Sequence, residues 1–237
     1  MIIEYKEVVT ASRTGGDGKL TRIAALDMVQ DCDCIGADSD ERLSRFLTEN
    51  NMAMFIVSRN AKFLNLPRYR DSLTMRTMPY VSSVQFGHRY TELRSGGELC
   101  AYSHIIAVYV NLETGRPARI PRTIADGIEV HSPPAAPSGE RRIIMNRSGE
   151  PEPRALSIFR RDIDINNHVN NVRYIEKAAE LLPENFDVRS IRAEHKLPAK
   201  LGDSLTAELF GGDSVQFVTL SDGNGKIFTL LEFKTYI

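Results

Sequence analysis

The chain has 237 residues, of which 42% are hydrophobic and 26% charged, an ordinary composition for a globular protein. This length allows one large domain or two domains of about 110 to 120 residues each. The net charge of -1 argues against nucleic acid as the main partner, since binding phosphates usually needs a basic balance or patch.

Targeting and cofactor signals are also missing from the sequence. The N-terminus lacks a signal-peptide pattern and no apolar run is long enough to span a membrane, so we expect a cytoplasmic protein without membrane contact. The odd set of three cysteines, Cys32, Cys34 and Cys100, predicts buried or half-buried free thiols instead of disulfides. Since no second Cys/His pair completes a metal site, we expect neither a metal nor a cofactor.

The residue pattern of the N-terminal half predicts one strand, two helices and then four strands. Residues 2–12 alternate as a strand does, and helices are predicted over 20–35, ending at Gly36, and over 40–48, capped by Ser39 or Asp40. Four runs rich in apolar and aromatic residues then predict strands at 53–66, 72–78, 84–93 and 99–111.

The C-terminal half repeats this order in a shorter form. A strand and a helix are followed by predicted strands at 188–197, 203–210, 215–220 and 226–236. One local echo accompanies the repeat: Leu66-Pro67 and then DSLT at 71–74 match Leu197-Pro198 and then DSLT at 203–206. The pattern favours two copies of one α+β unit, each an antiparallel sheet wrapped on a helix.

A proline-rich segment separates the two copies. Residues 117–153 contain seven of the 11 prolines, which is the composition of a linker. We therefore predict an N-terminal domain over 1–120, a linker over 121–153 and a C-terminal domain over 154–237.

Residues 156–182 combine an imperfect strand pattern, a polar turn and an amphipathic helix. The apolar residues follow a strand period up to Ile165, and from Val169 to Leu182 they follow a helical period that Pro183 ends. Asp164, Asn166 and His168 lie between the two patterns at i, i+2 and i+4, on one side of a chain that enters a helix N-terminus.

These residue types suit acyl transfer. An Asn amide and free N–H groups at a helix start can stabilise a developing oxyanion, while His and Asp can move or orient a proton. The same residues are also common in ordinary helix caps and turns, so a structural role is the alternative. A serine nucleophile is disfavoured because the sequence contains no G-x-S-x-G elbow.

Residues 164–176, DINNHVNNVRYIE, resemble the D-x-N-x-H-V-N-N-x-x-Y-I-E signature of the acyl-acyl-carrier-protein thioesterases. Shorter similar segments lie at 57–59, 69–77 and 111–121. The resemblance implies an α+β fold of two tandem hot-dog domains that form an intrachain pseudo-dimer. It also implies hydrolysis of the thioester between a fatty acyl group and acyl carrier protein in fatty acid biosynthesis. Asp164, Asn166 and His168 fall on the catalytic positions, and the N-terminal domain is expected to hold the acyl chain.

The sequence departs from this family at two places. Members usually have a Glu four residues before the Gly-Asp that opens the next strand, and here Pro198 takes that place before Gly202-Asp203. Lys177 replaces the usual Trp after the signature. The missing Glu leaves the water-activating group open, with Glu194 and Glu176 as substitutes.

Two other functions are compatible with these residues. A hydrolase of coenzyme A thioesters would share the fold, and a non-catalytic acyl-binding protein would explain the lost Glu, although retention of the three site residues argues against it.

Acyl carrier protein is acidic, so a cluster of basic residues near the site would attract it: Arg160, Arg161, Arg173, Lys196 and Lys200. A homodimer is also compatible with this interpretation. Several residues could line an acyl tunnel or form plain core, namely Met28, Met52, Met54, Phe55 and Phe63.

Overall fold

The structure, a computed structural model, describes residues 1–134, 142–145 and 151–236. The chain forms two compact units. Unit 1 comprises Met1–Val57 and Ala61–Ser138, and unit 2 comprises Ser58–Asn60 and Gly139–Ile237. The centre of the predicted linker, from residue 135 to 141, lies outside the described residues.

Unit 1 is a sheet with one long helix packed on it. Strands β1, β3, β4 and β5 pair antiparallel in that order, and β2 lies beside β5. The long helix, α1, packs mainly on β3 and β4. The elements are β1 Ile3–Val8, α1 Arg22–Asp38, α2 Glu41–Glu49, β2 Met52–Phe63, β3 Ser72–Ser82, β4 Phe86–Ser95, β5 Glu98–Asn111 and the short helix α3 Arg122–Ala125.

The helices of unit 1 begin at side-chain caps. Thr21 accepts a hydrogen bond from the backbone N–H of Ala24 at 3.1 Å, and Asp40 accepts one from Leu43 at 3.0 Å. The predicted end of α1 at Gly36 is wrong, because α1 continues to Asp38. Gly36 has a negative φ and lies inside the helix, where an added Cβ would lie 2.3 Å from Nη2 of Arg89. This glycine therefore allows close packing and does not end the helix.

Residues 120–128 belong to the core of unit 1, although most of them fall in the predicted linker. Ile120 and Ala125 are buried in a cluster with Leu43 and Tyr109. Ile124 and Ile128 pack against the same cluster. The short helix α3 thus covers apolar surface of unit 1, whereas the proline content had predicted a solvated linker there.

Unit 2 repeats the sheet and helix on a smaller scale. Its strands pair antiparallel in the order β6-β8-β9-β10-β7, and helix α4 packs on β9 and β10. Val172, Ile175 and Ala178 of α4 have no exposed surface. The elements are β6 Arg154–Leu156, α4 Asn171–Ala179, β7 Ser190–His195, β8 Leu205–Gly211, β9 Val215–Ser221 and β10 Ile227–Lys234.

The structure corrects the predicted strand and helix that flank the polar turn. The strand pattern up to Ile165 yields only β6 and then a 3₁₀ turn at Arg160–Asp162. Helix α4 begins at Asn171, two residues later than predicted, because the Asn170 side chain caps it by accepting from Val172 N–H at 2.9 Å.

The described residues also bear on the membrane and cysteine predictions. Within these residues, no helix combines the length and apolarity needed to cross a membrane. All three cysteines are free, and Cys32 and Cys100 are buried as predicted. Cys34 is exposed, which corrects its prediction.

Candidate active site

Residues 164–168 form a closed turn between the 3₁₀ turn and α4. The backbone N–H of Asp164 donates to the carbonyl of His168 at 2.8 Å, and Asn167 N–H donates to the carbonyl of Asp164 at 3.0 Å. A single antiparallel bridge between Ile163 and Val169 closes the turn. Asn167 has a φ of 59°, a left-handed conformation that Asn tolerates better than most residues.

The carboxylate of Asp164 shapes this turn from inside. Its Oδ1 accepts hydrogen bonds from the backbone N–H groups of Asn166 at 2.8 Å and His168 at 3.3 Å. One side chain thus sets the positions of the other two predicted site residues. Asn166 is exposed, so its amide can reach a bound ligand, and His168 is half-buried.

The surroundings of His168 favour its neutral form. Burial lowers its pKa below the ordinary value, and the cation of Lys200 lowers the pKa further. The carboxylate of Asp164 raises the pKa but does not cancel these effects. The imidazole is therefore neutral at neutral pH, which is the form that can act as a general base.

The segment that carries Pro198 is fixed against this turn through the backbone of Ala199. The carbonyl of Ala199 accepts from Val169 N–H at 2.8 Å, and its N–H donates to the Tyr174 hydroxyl of α4 at 2.7 Å. Lys200 follows directly, and its N–H donates to the Asp203 carboxylate at 2.8 Å. Lys200 thereby lies near enough to His168 for its charge to lower the pKa of the imidazole, and Pro198, at the position of the Glu that the resemblance implies, is exposed.

Glu194, the first substitute carboxylate, faces away from α4. Its Oε2 accepts from Ile143 N–H at 3.1 Å, and its Oε1 lies 3.4 Å from Nζ of Lys196. The next residue, His195, contacts the Tyr174 ring of α4 at a centroid distance of 5.9 Å. Since neighbouring residues of a strand point to opposite faces, Glu194 points away from the α4 side of the sheet.

Glu176, the second substitute, belongs to a helix ion pair. Its Oε2 accepts from Nη1 of Arg173 at 2.7 Å, one turn earlier on α4. Both side chains keep some exposure, so this contact is an ordinary i,i+3 pair.

Sequence reasoning missed the contact of Lys177 with Asp162. Nζ of Lys177 lies 2.7 Å from Oδ2 of Asp162, and the Asp162 side chain is only 2% exposed. The same carboxylate accepts from Phe159 N–H at 2.7 Å, and the Asp162 carbonyl accepts from Asn170 N–H at 2.8 Å. This pair joins the 3₁₀ turn to α4 and so supports both ends of the 164–168 turn. The only sign of this ion pair in the sequence was Lys177 itself, at the position where the family usually has Trp.

The predicted basic cluster is only partly available for docking. Arg160, Arg161 and Lys200 are exposed. Arg173 pairs with Glu176 and Lys196 with Glu194, so these two cations have intramolecular partners.

Comparisons with known proteins bear on the C-terminal domain and on the fold. Residues 146–226 match the family model of the acyl-ACP thioesterase C-terminal domain. A 109-residue segment, 42% of this chain, is 30% identical to the chloroplastic palmitoyl-acyl carrier protein thioesterase of Cuphea hookeriana. That segment spans 26% of the length of the curated relative.

Solved structures match the chain over nearly its whole length. An acyl-ACP thioesterase from Bacteroides thetaiotaomicron VPI-5482 aligns with a TM-score of 0.86 at 21% identity, covering 98% of this chain and 97% of that one. The 12:0-ACP thioesterase from Umbellularia californica aligns with a TM-score of 0.85 at 17% identity, covering 98% and 93%. These likenesses confirm the predicted fold class, α+β with two tandem hot-dog domains. Residues 146–226 thus match an acyl-ACP thioesterase C-terminal domain, and the whole chain shares the fold of the solved acyl-ACP thioesterases.

Proposed function

We propose that this protein hydrolyses the thioester of acyl-acyl carrier protein and releases free fatty acid in fatty acid biosynthesis. The observation that carries the proposal is the closed 164–168 turn, which lies within the matched domain and presents Asn166 and a neutral His168. The match of residues 146–226 to the acyl-ACP thioesterase C-terminal domain supports the same chemistry.

Asp164, Asn166 and His168 have different roles in this reaction. Water attacks the carbonyl carbon while the His168 imidazole accepts the proton that water loses. The amide N–H of Asn166 donates to the carbonyl oxygen as it becomes an oxyanion. The C–S bond then breaks, and the leaving thiolate takes its proton from the His168 imidazolium. Asp164 does not react but holds the backbone of both partners.

Pro198, at the position of the family's Glu, lowers the rate of hydrolysis but does not abolish the reaction. A thioester carbonyl is already electrophilic, and help from a general base is typically worth about 10²- to 10⁴-fold in rate. His168 provides proton transfer in the absence of the family's Glu. We infer a reduced kcat compared with family members that keep the carboxylate.

The two domains divide the work in this proposal. The N-terminal domain, residues 1–120, holds the acyl chain, and the C-terminal domain, residues 154–237, carries the catalytic turn, with 121–153 between them. Acyl carrier protein is steered to the C-terminal domain by exposed cations, of which Arg160 and Arg161 are the clearest.

A second candidate is a non-catalytic acyl-binding protein. One observation favours it: Pro198 stands where the family has a carboxylate, and Glu194, the nearest substitute in sequence, points away from α4. A coenzyme A thioesterase is the third candidate, because it needs the same site chemistry with a different carrier.

Hydrolysis assays with purified protein separate the three candidates. Acyl carrier protein thioesters of graded chain length are compared with the corresponding coenzyme A esters at low salt. We expect a higher kcat/KM on the carrier-protein esters, and a decrease for the Arg160→Glu/Arg161→Glu variant. Arg189→Glu is the matched control, because Arg189 is another solvent-accessible cation of unit 2 and pairs with Asp187.

The other results identify the alternatives. Faster turnover of coenzyme A esters with no effect of charge reversal would identify a coenzyme A thioesterase. Absence of turnover on every ester, with acyl binding retained, would identify a binding protein.

A further inference from the structure

A cavity of about 40 Å³ lies inside unit 1 where the C-terminal end of α1 meets β3, β4 and β5. Gly36 and Asp40 line it from the helix side, and Arg89 and Tyr109 line it from the sheet. Since one water molecule needs about 10–15 Å³ in this measure, the cavity has room for a small group and not for a long chain.

Two buried polar groups line this cavity with unused hydrogen-bonding capacity. Arg89 is 8% exposed, and its Nε donates to the Thr77 hydroxyl at 3.2 Å. Within residues 1–134, 142–145 and 151–236, neither Nη2 of Arg89 nor the hydroxyl of Tyr109, which is 0% exposed, has a hydrogen-bond partner. Buried donors are normally paired, so both groups point to a ligand with an oxygen acceptor.

The fold makes a specific place for the Arg89 guanidinium. An added Cβ at Gly36 would overlap Nη2 of Arg89 and Cγ2 of Thr77, so the glycine leaves this space to the guanidinium. Burial lowers the pKa of Arg89, and the nearby carboxylate of Asp33 opposes this effect. The cation is thus balanced by an anion within the same unit.

The charges around the cavity favour a neutral ligand group over an anion. Asp40 lines the cavity, and burial together with this carboxylate raises the pKa of Tyr109 to about 12, so the phenol keeps its proton. Asp33 already balances Arg89, Glu129 pairs with the Met1 ammonium that also lines the cavity, and a second anion would meet repulsion from Asp40. A hydroxyl or ketone oxygen accepts hydrogen bonds without adding charge.

Much of the remaining wall is apolar, which suits the chain carbons that flank a small oxygenated group. Leu43, Met54, Val81 and Ile128 line the same cavity, and Met54 is among the residues expected to line an acyl tunnel. We propose that this cavity binds a hydroxyl or keto group carried on the acyl chain of the substrate, with Arg89 and Tyr109 as its hydrogen-bond donors. This inference rests on the proposed function, since the oxygenated group is part of the acyl substrate.

Matched substrates test the inference. Acyl carrier protein thioesters of one chain length, either unsubstituted or carrying one hydroxyl or keto group at successive positions, are compared by kcat/KM. We expect the wild type to prefer one oxygenated position by about tenfold, the discrimination of one well-placed hydrogen bond. Tyr109→Phe and Arg89→Met should each reduce that ratio several-fold, whereas Tyr69→Phe, at an exposed tyrosine outside the cavity, should leave the ratio unchanged.

Calorimetry with the corresponding free hydroxylated and unsubstituted fatty acids keeps the two proposals separate. If no thioester is hydrolysed but the hydroxylated acid binds more tightly and Tyr109→Phe abolishes the difference, the proposed function fails and this inference stands. If wild type shows no preference in rate or binding at any position, the cavity is a hydrated structural feature and the inference is wrong. Should Arg89→Met fail to fold, Tyr109→Phe, which loses only a hydroxyl, decides the outcome.

Discussion

Replacing Lys177 by Met should destabilise unit 2 strongly, because it leaves the buried carboxylate of Asp162 without its cation. The two side chains are 13% and 2% exposed and lie 2.7 Å apart, so water cannot replace the lost partner. Removing one member of such a pair typically costs about 3–5 kcal/mol. We expect a value near the lower end, about 3 kcal/mol, because the Phe159 N–H still donates to the carboxylate.

Urea unfolding and thermal melting of the Lys177→Met variant measure this cost. At roughly 2–4 °C per kcal/mol for a chain of this size, Tm should fall by about 6–12 °C. Arg173→Met is the matched control on the same helix, and its more exposed pair should contribute only about 0.2–0.5 kcal/mol. The double variant Asp162→Asn/Lys177→Met should recover part of the loss, since no buried charge remains. Equal, small effects of Lys177→Met and Arg173→Met would refute the role of the buried pair.

Two further predictions concern the site itself. Lys200→Gln should move the acid limb of the kcat/KM profile to higher pH, because loss of the cation raises the pKa of His168 and the base is protonated sooner as pH falls. Asp164→Asn should move the acid limb to lower pH, because loss of the carboxylate lowers the same pKa. Shifts of both variants in the same direction would contradict the assignment. Tyr174→Phe should destabilise the protein by about 1–3 kcal/mol in urea unfolding, because the buried N–H of Ala199 loses its acceptor; an unchanged unfolding midpoint would contradict this.

Much of the fold was predictable from hydrophobic periodicity. The four strands of each copy appear in the predicted order, and their boundaries differ by a few residues, as between the predicted 84–93 and the observed Phe86–Ser95. Ser39 and Asp40 were the two predicted caps of α2, and Asp40 is the residue that caps it.

The errors arose where tertiary contacts override local preferences. Gly36 suggested a helix end, yet its small size serves the close approach of Arg89 from another strand. Residues 121–128 fall in the predicted linker, yet Ala125 packs on Leu43 and Tyr109. Neither contact partner is near in sequence, so no local pattern could indicate it.

The candidate site shows the same division. The motif predicted which residues share the turn, and the structure shows how Asp164 sets the backbone of Asn166 and His168. The direction of Glu194 depended on strand alternation relative to α4, and the electrostatic effect of Lys200 on His168 depended on the path of the segment after β7. Both required the three-dimensional arrangement of unit 2.

The most direct test of the central claim is the kcat of His168→Ala and Asn166→Ala on acyl-acyl carrier protein, measured beside the wild type. Each variant should lose at least about 10²-fold in kcat, the scale of a removed proton-transfer or oxyanion group, while circular dichroism and Tm remain close to wild type. Asn224→Ala, in the hairpin loop between β9 and β10, is the matched control for an exposed Asn in a turn and should keep full turnover. Turnover near the wild-type value in both His168→Ala and Asn166→Ala would show that the 164–168 turn is not the catalytic site.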